Sequence, residues 1–332
     1  MTKMKKVLAL GLAGVLAVGF AACSNSASDD KNTDTQTATA KTGMAIISQI
    51  KDDEYNKSAT ALEIDSVAAA VLVDADGKII DVKIDEAQTK PDLTKDNGNV
   101  SDLRTKLDKK EDYGMKSTSP IGKEWYEQVA AFEAWAKGKT ADEVKAGVDD
   151  TGYASDADLK AGCTIYAGGF TSVVAKAIAN ATECGASATD TLKLSLTTQK
   201  YYESNETNLQ YDTDYAAVTT DADGKVTSCI IDASQAKCTI ANGEFTVEKG
   251  EYKSKKELKE EYGMKGTSPI GKEWYEQAAA FENWCKGKTA DEIKACYGDD
   301  MSASDADLKA GCTITISSIA ENTAKAAPKE VK

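Results

Sequence analysis

The chain predicts an α+β fold made of two tandem copies of a small antiparallel sheet packed with helices, and three observations carry that expectation. The stretch Tyr113–Thr164 returns as Tyr262–Thr313, 149 positions later and without a gap. Each copy has two apolar, β-branched runs joined by an Asp-Gly-Lys turn, the mark of a β-hairpin. Each hairpin precedes segments whose apolar residues recur at helical spacing behind capping residues. A length of 332 residues suits about two domains, and a period this long is the duplication of a whole domain, not a solenoid repeat.

Residues 1–22 stand apart. Lys3, Lys5 and Lys6 make a basic start, Val7–Phe20 is an apolar run too short and too rich in Gly and Ala for a membrane span, and Ala21 and Ala22 precede Cys23. That is a secretory signal. It resembles a bacterial lipoprotein signal, which implies that Cys23 is lipidated and anchors the protein on the extracellular face of the cell membrane. Phe20 stands where that signal usually has an aliphatic residue. Segment 23–42 has no large apolar side chain between Ser24 and Lys41 and reads as a disordered tether, spanning on the order of 25 Å. Loss of the three signal lysines takes the formal net charge from −14 to −17. So acidic a surface repels nucleic acid, which is excluded as a partner.

Repeat domain 1 (43–182) opens with strands over Met44–Ile50 and Ala61–Val73. The turn Asp74–Lys78 and a strand over Ile79–Ile84 follow. Repeat domain 2 (190–327) has the same hairpin as Tyr215–Thr220, Asp221–Lys225 and Val226–Ile231. The DADG string is a turn and not a calcium loop, because no third ligand precedes Gly77 and no closing Glu follows at the required spacing. Polar connections, Asp85–Asp112 and Asp232–Glu261, lead to the repeated block. There Pro120 suits a first helical turn with Ser119 as cap, and Ile121, Trp125, Val129, Phe132 and Trp135 share one face before Gly138 ends the run. Thr140 and Glu143 form a capping box, as do Thr289 and Glu292, and Ser155 with Asp158 suits another cap. Closing helices are expected over 172–181 and 317–327, Cys184–Thr189 links the copies, and 328–332 reads as a disordered tail.

The chain has no histidine, which excludes Ser-His-Asp and Cys-His catalysis and disfavours zinc and copper sites. Seven cysteines remain beyond Cys23, and only Cys163 and Cys312 correspond between the copies, so disulfides are not expected to hold the fold. An odd number leaves at least one free or intermolecular thiol, in keeping with a reducing habitat.

Two candidate sites fall in the repeated block. The aromatic helix carries every tryptophan: Trp125 and Trp135 in one copy, Trp274 and Trp284 in the other. Such a stripe reads as core under the sheet. Tyr126 and Tyr275, off the apolar face, are the ligand candidates. The second candidate is Asp158-Leu-Lys-Ala-Gly162-Cys163-Thr164, repeated as Asp307-Leu-Lys-Ala-Gly311-Cys312-Thr313.

In its order of hairpin, DGK turn, aromatic helix and D-x-x-x-G-x-T before a final Ala-rich helix, each copy resembles the extracytoplasmic FMN-binding domain. That family carries D-x-x-[ST]-G-A-[ST], whose last hydroxyl receives FMN through a phosphoester bond made by a separate flavin transferase. The resemblance implies Asp158 and Asp307 as the motif's acid, Gly162 and Gly311 as its glycine, and Thr164 and Thr313 as the flavin-bearing hydroxyls. Ala161 and Ala310 replace the family's hydroxyl residue, and Cys163 and Cys312 its alanine. Flavin held without a covalent bond is the corresponding alternative.

The expected function is thus a lipid-anchored surface protein of Gram-positive type, an electron carrier with FMN in both copies and redox proteins as partners, without turnover of its own. The alternative is a non-redox lipoprotein capturing a small ligand or cell-wall component, and a third is an adhesin or spacer.

Overall fold

The computed structural model describes residues 39–53 and 58–327, which form one compact unit. The signal, Cys23, nearly all of the tether and the tail from 328 lie outside the described residues. In the first copy β1 (Lys41–Asp52), β2 (Leu62–Val73) and β3 (Ile79–Thr89) form an antiparallel meander. Asp74 folds the β2–β3 turn by accepting the backbone N–H groups of Asp76 and Lys78 at 3.0 and 2.9 Å, as the turn reading requires. The second copy repeats the meander with β4 (Thr191–Lys200), β5 (Asn208–Thr220) and β6 (Val226–Ala241), extended by β7 (Glu244–Thr246). A last strand of the second copy, β8 (Gly250–Tyr252), crosses over to the first and pairs with β1, Ser48 opposite Tyr252.

Helices follow each meander: α1 (Lys106–Lys109), α2 (Trp125–Ala136), α3 (Ala141–Lys145), α4 (Ala157–Gly162) and α5 (Gly168–Ala179) in the first copy. Their counterparts are α6 (Lys255–Leu258), α7 (Trp274–Cys285), α8 (Ala290–Lys294), α9 (Ala306–Gly311) and α10 (Ser317–Ala326). The fold is α+β.

Alternation along the strands shows how these layers stack. On β2, Ala69, Val71 and Val73 face a core shared with Trp125, Phe132 and Val174 of the helices. The intervening Ala68, Ala70 and Leu72 face Leu192, Leu196, Tyr215 and Ala217 of the other sheet. On β5, Ala216 and Val218 turn to the second copy's helices. The central strands β2 and β5 are therefore buried on both faces, giving helix, sheet, sheet and helix layers. Small alanines where the sheets meet let the backbones approach closely.

Sheet β3-β2-β1 lies on sheet β4-β5-β6 with β3 against β4 and β1 against β6. Exchanging the copies maps one of those contacts onto the other, so the copies are related by an approximate two-fold axis. Thr42 and Ser228 hydroxyls bond at 2.9 Å across this seam. The duplication has fused what is geometrically an isologous dimer.

Local corrections concern strand ends and helix starts: β3 runs on to Thr89 and β6 to Ala241, into the stretches expected to be polar connections. The aromatic helix begins at Trp125, not near Pro120, because Glu124 is its cap and forms a reciprocal box with Glu127. The Glu124 carboxylate also accepts the backbone N–H groups of Met115 and Lys116 at 2.8 and 3.0 Å, tying the preceding turn to the helix. Ser119 instead accepts from Lys123 N within that turn. Helix α4 is capped by Asp156, not Ser155, and the closing helix starts at Gly168. The boxes at Thr140 and Thr289 are as expected.

Candidate functional site

Trp125, Val129 and Phe132 of the aromatic stripe are core, whereas Trp135 and Trp284 are half-buried at its edge and Ile121 lies before the helix. Trp125 is 3% exposed and Phe132 fully buried, each with its ring against Phe170 of α5, so the space between sheet and helix is filled. Lys106 lies over the rings of Tyr113 and Trp125, at 5.2 and 5.7 Å, and Lys255 repeats this over Tyr262 and Trp274 at 5.2 and 5.3 Å. Tyr126 and Tyr275 sit at the rim, where their hydroxyls donate to Glu111 and Glu260 at 2.9 and 3.0 Å.

The D-x-x-x-G-x-T segment forms α4 and the turn after it. Asp156 accepts the N–H groups of Asp158 and Leu159, both at 3.0 Å, and the Trp135 indole N–H at 3.0 Å. The backbone N–H of Leu159 foremost, with those other donors, holds its carboxyl below the usual range. Asp158 and Asp307, the motif's acids, are exposed on the helix surface. Gly162 faces α2 so closely that a Cβ there would lie 2.6 Å from the Ala131 Cβ; at Gly311 the distance to Ala280 is 2.8 Å. These glycines thus serve helix–helix contact, a reason that needs no cofactor. Cys163 and Cys312 are fully buried, and burial pushes both thiols up to about 11, so neither is a nucleophile at neutral pH.

Thr164 ends the segment half-buried. Its backbone N–H and its hydroxyl both donate to Gln128 Oε1, at 2.8 and 3.1 Å. Gln128 is fully buried on α2, and its Nε2 donates to Ser119 Oγ and the Lys123 carbonyl at 3.1 and 3.2 Å, which fixes the amide's orientation. Thr313 and Gln277 repeat the pair at 2.8 and 3.1 Å. This glutamine escaped the sequence reading. Its signal was a polar residue kept in both copies between Trp125 and Phe132, on the buried face.

Four residues past each threonine a helix starts without a side-chain cap. Ala167 and Ile316 occupy the cap positions of α5 and α10, and neither first turn holds an acid. The Ala167 and Gly168 N–H groups both donate to the Gly152 carbonyl at 2.9 Å and the Ile316 N–H donates to the Met301 carbonyl, so only the N–H groups further into each first turn are left with the positive partial charge of the terminus. The arrangement places a hydroxyl on a half-buried threonine, oriented by a buried amide, just ahead of a helix start.

Cavities of about 470, 660 and 430 Å³ lie elsewhere, and none is lined by Thr164, Thr313, Tyr126 or Tyr275. The seven described cysteines are free thiols, with Cys285 next to Cys229 inside the second copy. Among the described residues no helix is long and apolar enough to cross a membrane.

No protein-family model and no solved structure matches the chain. A chlorophenol reductase of Desulfitobacterium hafniense is 35% identical over 99 residues, covering 25% of this chain and 30% of that protein. The match thus spans less than a third of that relative's length.

Proposed function

We propose that the protein is a surface-tethered lipoprotein carrying FMN at Thr164 and Thr313 for extracellular electron transfer. The observation that carries the reading is the pairing of each threonine hydroxyl with a buried glutamine, identical in both copies. In that geometry the hydroxyl proton of a half-buried threonine points to an acceptor. Loss of that proton to an ester leaves the backbone N–H of the same threonine on the glutamine, so the turn keeps its anchor.

The residues fit the group in part. The hydroxyl and the start of α5 suit a phosphate, whereas the Asp214 carboxylate already lies beside Ser318 at the start of α10 and the glycines and cysteines of the motif are occupied with packing. The flavin would supply the electron chemistry, and the chain would hold it and set its surroundings. A partial likeness to a reductase is in keeping with a redox role. The lipid anchor rests on the signal and Cys23 alone.

The reading is tested on protein purified from its native host, which should be yellow with an absorbance that survives denaturation. Colourless protein that takes up no FMN on titration would overturn it. A second reading, capture of a small ligand, is favoured by the cavity at the seam of the two copies.

A further inference from the structure

The cavity of about 470 Å³ opens where β1 and α5 of the first copy meet β6, α6 and α7 of the second. Its volume is in the range of small-molecule sites. The floor is apolar: Met44, Ala45, Ile46 and Ile230. The polar wall is mostly occupied. Asp232 accepts from the Ser254 hydroxyl at 2.6 Å and from the N–H groups of Ala233 and Lys256 at 2.8 and 3.0 Å. Glu282 takes the Ile231 N–H and the Lys256 ammonium. Glu257 takes Lys176, which also donates to the Ile46 carbonyl at 2.8 Å. The acids of the wall are therefore satisfied.

Two cations of the wall are not paired with these acids. Lys259 and Lys286 line the cavity, are exposed, and make no ion pair among the described residues. The first copy shows how this arose. Lys137, the counterpart of Lys286, pairs with Asp81 at 2.9 Å, and Lys83 joins the same carboxylate at 3.1 Å. In the second copy Ser228 stands in place of Asp81 and Ile230 in place of Lys83. Loss of that acid frees Lys286, and the change of Lys83 to isoleucine supplies part of the floor. Two ammonium groups over an apolar floor, on a chain of net charge −14, are a local reversal of the surface charge.

We infer that this seam cavity binds a small organic anion with an apolar body, its carboxylate or phosphate held by Lys259 and Lys286 and its body against Met44, Ile46 and Ile230. The inference gives a ligand class to the second reading and stands independently of flavin at the threonines. The charge-assisted contacts would fix orientation, while the floor supplies the area.

The test is a fluorescence titration of the mature chain with 8-anilinonaphthalene-1-sulfonate, an anionic apolar probe. One saturable site is expected, weakened about tenfold or more in Lys259→Gln/Lys286→Gln. Lys110→Gln/Lys137→Gln, the same exchange in the first copy, should leave it unchanged. Hexanoate and hexyl phosphate should displace the probe, the tighter of the two identifying the head group, and hexanol should not. No saturable site, equal binding by both double variants, or displacement by hexanol as effective as by the anions would overturn the assignment.

Discussion

Lys176 on α5 of the first copy reaches Glu257 on α6 of the second at 2.5 Å, and the same contact in reverse joins Lys325 on α10 to Asp108 on α1 at 2.6 Å. The pairs exchange under the approximate two-fold axis. They are partly exposed, so each contributes about 0–1 kcal/mol and marks the symmetry more than it stabilises it. The stabilising contact is the face between the sheets, where Leu72, Leu192, Leu196 and Tyr215 are buried together.

Because that face belongs to both copies, the chain should unfold as one unit. Calorimetry of the whole chain should give a single transition, and halves cut within Cys184–Thr189 should unfold without cooperativity until mixed. The crossing of β8 onto β1 reinforces this, since the first sheet lacks an edge strand without the second copy. Independent cooperative unfolding of either half at the stability of the whole would contradict the shared core.

Gly162→Ala should destabilise by about 1–3 kcal/mol through overpacking against Ala131. Ala131→Gly in the same chain should recover much of that loss, the mark of one steric contact. Denaturant midpoints of the two single variants and the double variant measure it. Gly311 and Ala280 should behave alike.

Gln128→Leu should cost about 1–3 kcal/mol, because the Thr164 N–H and hydroxyl both lose their acceptor in a half-buried turn. Hydrogen exchange of the Thr164 amide should accelerate before global stability is lost. Unchanged protection at that amide would contradict the role of Gln128 in holding the Thr164 turn.

Stability should fall as the pH rises towards neutrality. Burial pushes Asp85 up to about 7 and Asp232 up to about 6, against an ordinary value of 3.8. The folded state therefore holds protons that the unfolded chain releases. The stability these groups contribute is complete below 3.8 and is lost as the pH passes through about 6 to 7. Asp85→Asn, which keeps an acceptor for the Glu86 and Leu107 N–H groups, should flatten the melting temperature between pH 4 and 7.

Local chemistry was legible where one residue type has one use. The Asp-Gly-Lys turns and the Thr-x-x-Glu boxes announced the hairpins and short helices. The start of α2 was not, because Glu124 is an uncommon cap and Ser119-Pro120 imitates a better one while folding a turn. Strand β4 carried its signal in the alternation of Leu192, Leu194 and Leu196. The union of the two sheets could have been read from Val67–Val73, where alanine and valine leave no polar face and so require cover on both sides. At the candidate site the sequence located Thr164 and Thr313 but not their glutamines, which lie 36 residues earlier. Long-range pairing of that kind leaves no local pattern, and the lysines of the seam cavity come together only through the fold.

The central claim, two equivalent flavin sites, is tested most directly by the intact mass of the chain purified from its native host. Two added FMN groups are expected in the natural chain, one in Thr164→Ala or Thr313→Ala, and none in the double variant. A mass with no flavin increment in any of these chains, with no uptake of added FMN by the natural chain, would contradict it.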